Sequence, residues 1–176
     1  MKTLILKADS YRTFLLVFLG LLTAFSPFVT DMYLPALPSM VEGFGTTTSL
    51  VQLSLTSCMV GLAVGQLLFG PMSDRYGRKP VLLWTLLLFI LSTLLCLLSS
   101  DVYLFVAFRL FQGIAAAGSI VIARSVSTDL FAGRELARIL AIIGSINGIA
   151  PVLAPVIGGT VSYTHLRAHE TLSDLV

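Results

Sequence analysis

The sequence predicts an all-α membrane protein with five spanning helices. Of its 176 residues, 56% are hydrophobic and only 11% charged, with a mean hydropathy of +0.95, whereas a soluble domain carries about a quarter charged residues. The apolar residues gather into five runs of about twenty, each long enough to cross roughly 30 Å of hydrocarbon as a helix. Lys and Arg collect in alternate connections, the pattern that fixes a membrane protein's orientation.

Residues 1–12 form a short basic leader with Lys2, Lys7 and Arg12, and Thr13 to about Thr30 is the first span. A secretory signal peptide is disfavoured, because the run is long, further spans follow it, and no small-residue cleavage site ends it. Residues 34–48 read as a connection with Pro35, Pro38, Gly43, Gly45 and Glu42, free of Lys and Arg. The second span, about Leu50 to Phe69, carries Gly61 and Gly65 four apart, a spacing that lets another helix approach closely. Val81 to about Leu98 is leucine-rich and reads as lipid-facing, and Ser99 to Asp101 is a minimal turn. The fourth span, about Val102 to Ala123, holds Arg109 well inside it; Arg124 to Arg138 is a polar connection. The fifth, about Ile139 to Val161, is glycine-rich and reads as broken by Pro151 and Pro155. Cys58 and Cys96 lie in different apolar runs and imply no disulfide framework.

Lys2, Lys7, Arg12, Arg75, Arg78, Lys79, Arg124, Arg134 and Arg138 fall before span one, between two and three, or between four and five. The other connections between spans contain no cation, so the N-terminus is expected in the cytoplasm.

Between spans two and three, Gly70 to Pro80 reads as a tight hairpin, with Pro71 and Pro80 stopping the helices and Gly77 allowing the turn. Its pattern G-x-x-x-D-R-x-G-R-K, with Gly70, Asp74, Arg75, Gly77, Arg78 and Lys79, resembles the signature loop of major facilitator superfamily transporters. A basic loop alone would explain the cations, but not Asp74 and Gly77 at those offsets.

Three further constellations extend the resemblance. Asp31-Met32-Tyr33-Leu34-Pro35-Ala36-Leu37-Pro38 is similar to the first-helix signature of the bicyclomycin-resistance (Bcr/CflA) drug/proton antiporters. By position alone Asp31 could be an interfacial carboxylate; the resemblance implies that it takes and releases the coupling proton, in competition with a cationic substrate. Arg109, Gln112 and Gly113 resemble the family's fourth-helix motif, whose Arg is linked to proton coupling. An arginine this deep stays charged and must find a cavity, a partner or the interface. Pro151, Ala154, Pro155, Gly158 and Gly159 resemble the motif that marks antiporters, with Ala154 where the usual form has Gly; its implied role is to shape a helix at the moving interface. The resemblance also implies a charge cluster of Asp74, Arg78 and Arg124, completed by a helix end from a second half. For Arg75 and Lys79 the simpler role, holding topology, is preferred.

The resemblance covers about residues 13–161 and implies twelve helices in two halves, so the chain is expected to be an N-terminal piece carrying five of the first six, with its C-terminal half as the missing partner. Residues 162–176 resemble translated sequencing-adapter tails and read as foreign to the fold. His165 and His169 sit four apart there, but without a third ligand they are not taken as a metal site. The expected function is proton-coupled drug efflux across a bacterial inner membrane, with the bilayer, protons and a small-molecule drug as partners. A proton gradient would supply the energy, with no bound cofactor. A metabolite transporter of the same family and a non-transporting scaffold are the alternatives. Asp31 and span five favour drug efflux over the first, and the intramembrane charges oppose the second. The sequence offers no nucleophile–base pair, phosphate loop or metal cluster, so an enzyme is not expected, nor is a nucleic-acid partner.

Overall fold

A computed structural model describes residues 2–173, with side chains described for residues 14–160. Helix α1 spans Lys2–Asp31, a 3-10 turn covers Leu34–Ala36, and α2 is the short Leu37–Gly43. Four long helices follow: α3, Thr48–Tyr76; α4, Arg78–Leu98; α5, Val102–Leu130; and α6, Gly133–Ser173. Five of these segments are long and apolar enough to cross a membrane, each within one of the five expected spans or extending it. The leader is continuous with α1, and α6 runs on into residues 162–173. The side chains of that stretch, including His165 and His169, lie outside the described residues, as do residues 174–176 entirely.

The centre of the bundle is α5, which packs against α3, α4 and α1, while α6 packs along α1. Its middle is built from Ala115, Ala116, Ala117, Gly118 and Ser119, all buried. Small residues are what allow such contact, because apolar side chains gain little by leaving lipid for protein and association depends on close backbone approach. The seam with α3 is reciprocal. A Cβ on Gly61 would strike the Leu110 carbonyl and one on Gly65 the Ile114 carbonyl, while one on Gly113 would strike the Cys58 carbonyl. Gly118 leaves room in the same way for Thr85 of α4.

Helix α4 has two faces. Val81, Thr85 and Ser92 are buried, whereas Leu83, Trp84, Leu87, Leu91 and Leu94 are exposed, Trp84 at 69%. The apolar exposure expected of a lipid-facing helix is therefore confined to one side. Phe25 of α1 meets Phe89 of α4 edge-on at 4.6 Å between ring centres.

The hairpin between spans two and three is tighter than its prolines suggested. Pro71 does not end α3, which continues to Tyr76, and Pro80 lies in the first turn of α4. The amide missing at Pro80 costs nothing there, because first-turn amides have no intrahelical acceptor. The chain turns at Gly77 alone, at φ 90° and ψ 157°, backbone angles that glycine tolerates best. Similarly, α5 persists to Leu130, leaving Phe131 and Ala132 as the break before α6. Pro151 and Pro155 lie inside α6 rather than interrupting it.

Candidate functional site

Arg109 is 5% exposed and sits where α1, α3, α4 and α5 meet. One terminal nitrogen donates to Gln112 Oε1 at 2.5 Å, and the other to the Val29 carbonyl at 3.1 Å. Val29 lies in the last turn of α1, whose carbonyls lack intrahelical donors and carry the negative end of the helix dipole. Its guanidinium carbon stands 4.3 Å from the centre of the Tyr33 ring. Gln112 in turn donates to Thr93 Oγ1 of α4 at 2.8 Å. Arg109 Nε is buried without an acceptor. The ion pairs among the described residues join Arg78 to Asp74 and to Asp129, so no carboxylate pairs with this guanidinium. Its positive charge is met by a helix end, an amide oxygen and an aromatic face.

Asp31 is the last residue of α1 and is half-buried. The Arg109–Val29 bond brings the guanidinium to the turn of α1 that ends in Asp31, without pairing the two. Gly113, one residue past Gln112, is the glycine that admits the backbone of α3. Three of the sequence-named residues, Arg109, Gln112 and Gly113, thus lie together, and Asp31 flanks them.

At the opposite end, Arg78 bridges two helices. It pairs with Asp74 in the last turn of α3 and donates through Nε to Asp129 of α5 at 2.9 Å; one terminal nitrogen also reaches Ser73 Oγ at 2.6 Å. Asp129 therefore occupies the place expected for Arg124, which is exposed and takes no part. The reason is helix phase: with α5 extended to Leu130, Asp129 is still helical and points to Arg78. Arg75 and Lys79 are exposed, Arg75 lying 5.5 Å from the Tyr76 ring centre. Gly70 is half-buried, and a Cβ there would meet nothing within 4 Å.

In α6, Ala150, Ala154 and Gly158 form a buried stripe at four-residue spacing. A side chain on Gly158 would strike the Met32 carbonyl, and Gly159 lies beside Pro35. Ala154 is fully buried, so its methyl group is accommodated. Pro151 and the neighbouring Val152, Leu153 and Val156 are exposed. The antiporter-like motif thus packs one face against the end of α1 and leaves the proline-bearing face open.

A cavity of about 250 Å³ lies toward the Gly77 end, bordered by Phe18, Leu22, Leu82, Ile122 and Val126, with Arg78 and Lys79. None of the Asp31 and Arg109 group borders it. Sequence reasoning missed Tyr33, Ser54, Thr93 and Asp129 as partners. Tyr33 was within reach as an aromatic beside Asp31, but Thr93 and Ser54 carry no signal apart from being polar in an apolar run.

The model of the Major Facilitator Superfamily matches residues 19–168. The chain is 43% identical over 150 residues to the uncharacterized MFS-type transporter YdgK of Bacillus subtilis, covering 85% of this chain and 37% of the relative. It is 40% identical over 132 residues to a chloramphenicol resistance protein of Pseudomonas aeruginosa, covering 74% and 32%. A bicyclomycin resistance protein homolog of Haemophilus influenzae is 35% identical over 151 residues, covering 85% and 38%. The chain thus spans roughly a third of the length of each. With five apolar helices, the signature loop at Gly77 and a family match over most of its length, the chain belongs to the major facilitator superfamily.

Proposed function

We propose that the chain forms part of the first half of a proton-coupled drug exporter, the rest of the pathway coming from a second half of the same transporter. The observation that carries the reading is the buried Arg109, paired with no carboxylate among the described residues and fixed to the last turn of the helix that ends in Asp31. Intramembrane charges are expensive and are kept where they serve transport. In this reading Asp31 takes a proton from one side and gives it up on the other, and Arg109 acts on that exchange from α5. A carboxylate holding a proton has no charge to offer a cationic drug, so proton and substrate alternate. The relatives named for chloramphenicol and bicyclomycin resistance support a drug-like substrate. The cation distribution supports a cytoplasmic N-terminus in a bacterial inner membrane. The energy source is the proton gradient.

The test is drug efflux from membrane vesicles under an imposed pH gradient, using the transporter that carries this segment and expression-matched variants. Asp31→Asn keeps size and polarity but cannot ionise, and is expected to abolish gradient-driven efflux. Glu42→Gln, on the exposed face of α2, is expected to be nearly silent. Full efflux by Asp31→Asn would remove Asp31 from the coupling role.

A further inference from the structure

We infer that Tyr33 is a positioning residue for Arg109, its ring serving as the partner that a carboxylate would ordinarily provide. Arg109 must stay charged, and among the described residues no acid pairs with it. Its two hydrogen bonds, to Gln112 and Val29, hold terminal nitrogens of the guanidinium, and Nε has no acceptor. What remains is a cation whose guanidinium carbon lies over an aromatic ring, 4.3 Å from its centre, well inside the range at which the ring's negative face attracts a cation. That attraction strengthens when water is excluded, and Arg109 is buried.

The ring is itself held in place. Ser54 of α3 donates its only hydroxyl hydrogen to the Val51 carbonyl at 2.6 Å. At the 3.2 Å contact between the two hydroxyls, Tyr33 must therefore be the donor and Ser54 the acceptor. Ser54 is fully buried, so this anchor is shielded from competing water. Behind Tyr33 the chain enters the 3-10 turn at Leu34, where Pro35 restricts the backbone. Ring, hydroxyl and backbone together tie α1 to α3 and, through Arg109, to α5. The ring sets the guanidinium's place, and the hydroxyl sets the ring's.

The measurement is the ¹⁵N spectrum of arginine side chains for the full chain in lipid nanodiscs, with the Arg109 Nε–H signal assigned by its loss in Arg109→Lys. Tyr33→Phe keeps the ring, so the signal should stay shifted by the ring current, and its exchange with solvent should rise by less than about threefold. Tyr33→Leu removes the ring, so the signal should move to the ordinary arginine position and exchange about tenfold faster or more. An unchanged signal in Tyr33→Leu, or equal displacement in Tyr33→Phe and Tyr33→Leu, would overturn the inference. Should Tyr33→Leu fail to insert, phenylalanines of increasing fluorination at position 33 keep the shape while weakening the ring's negative face. Exchange should then rise with each fluorine, and a flat series would refute the assignment. The inference goes beyond the efflux reading and fails separately from it: full transport by Asp31→Asn would end that reading and leave Tyr33 untouched.

Discussion

Arg109 is the residue at which two opposing costs meet. A buried charge costs several kcal/mol of lost hydration, but removing it leaves the Gln112 oxygen and the Val29 carbonyl without their donor, a loss of comparable size. Arg109→Met is therefore expected to change the thermal midpoint of the purified protein only slightly, even where it ends transport. Arg109→Lys should lower the midpoint, since it keeps the buried charge and loses the planar fork that serves Gln112 and Val29 together. Thermal unfolding of the two variants in one detergent separates these outcomes, and a more stable Arg109→Lys would contradict the account. The Arg78–Asp129 pair is a milder case. Both side chains are a quarter or more exposed, so solvent screens the pair and Asp129→Asn should leave the thermal midpoint nearly unchanged. The Arg-x-x-Gln pairing was legible in the sequence because three residues on a helix is a local relation. Val29 and Thr93 were not, because they lie 80 and 19 residues from their partners and only the packing brings them in. The choice between Asp129 and Arg124 needed the true length of α5.

Among the elements, the glycines divide sharply by what surrounds them. Gly113 faces the backbone of Cys58, which cannot step aside, whereas Gly148 has open space around it. Gly113→Ala is expected to lower the stability of the isolated chain by more than about 1 kcal/mol through overpacking. Gly148→Ala should be neutral or stabilising by up to about 1 kcal/mol, from helix propensity alone. Unfolding of both variants in the same micelle tests the contrast; equal effects would mean that the α3–α5 seam is looser than described. The five spans were legible because twenty apolar residues admit few other readings in a chain so poor in charge. Their ends were not. Pro71 suggested a stop, yet the helix continues, and the Ser73 hydroxyl bonds the Gly70 carbonyl at 2.9 Å in that stretch. A proline near a helix end removes a hydrogen bond without dictating where the helix stops, and sequence alone cannot weigh that loss against the local replacements. The short α2 was read as connection because two prolines and two glycines masked a helix of only seven residues.

For the whole molecule, sidedness is the property that chemistry can read most directly. Lys79 and Gly43 are both exposed and lie at opposite ends of the bundle. In a background with Cys58 and Cys96 replaced by alanine, Lys79→Cys should react with an impermeant thiol reagent only from the cytoplasm, and Gly43→Cys only from outside. The reverse pattern would invert the topology read from the loop cations. The overall class and span count were legible from composition and charge distribution, while the central place of α5 was not, since it depends on which small residues face which. That central place has an electrical consequence. Arg109 is a fixed positive charge on the innermost helix with no carboxylate among the described residues paired to it, so the transmembrane voltage acts on it whatever the charge of the cargo. Moving one elementary charge across the whole field is worth about 2.3 kcal/mol per 100 mV. A displacement of α5 through roughly a third of that field would bias two conformations by about 0.8 kcal/mol, or nearly fourfold, at the same voltage. The bundle would thereby respond to membrane polarisation even with its carrier site empty, and Arg109→Gln would weaken that response.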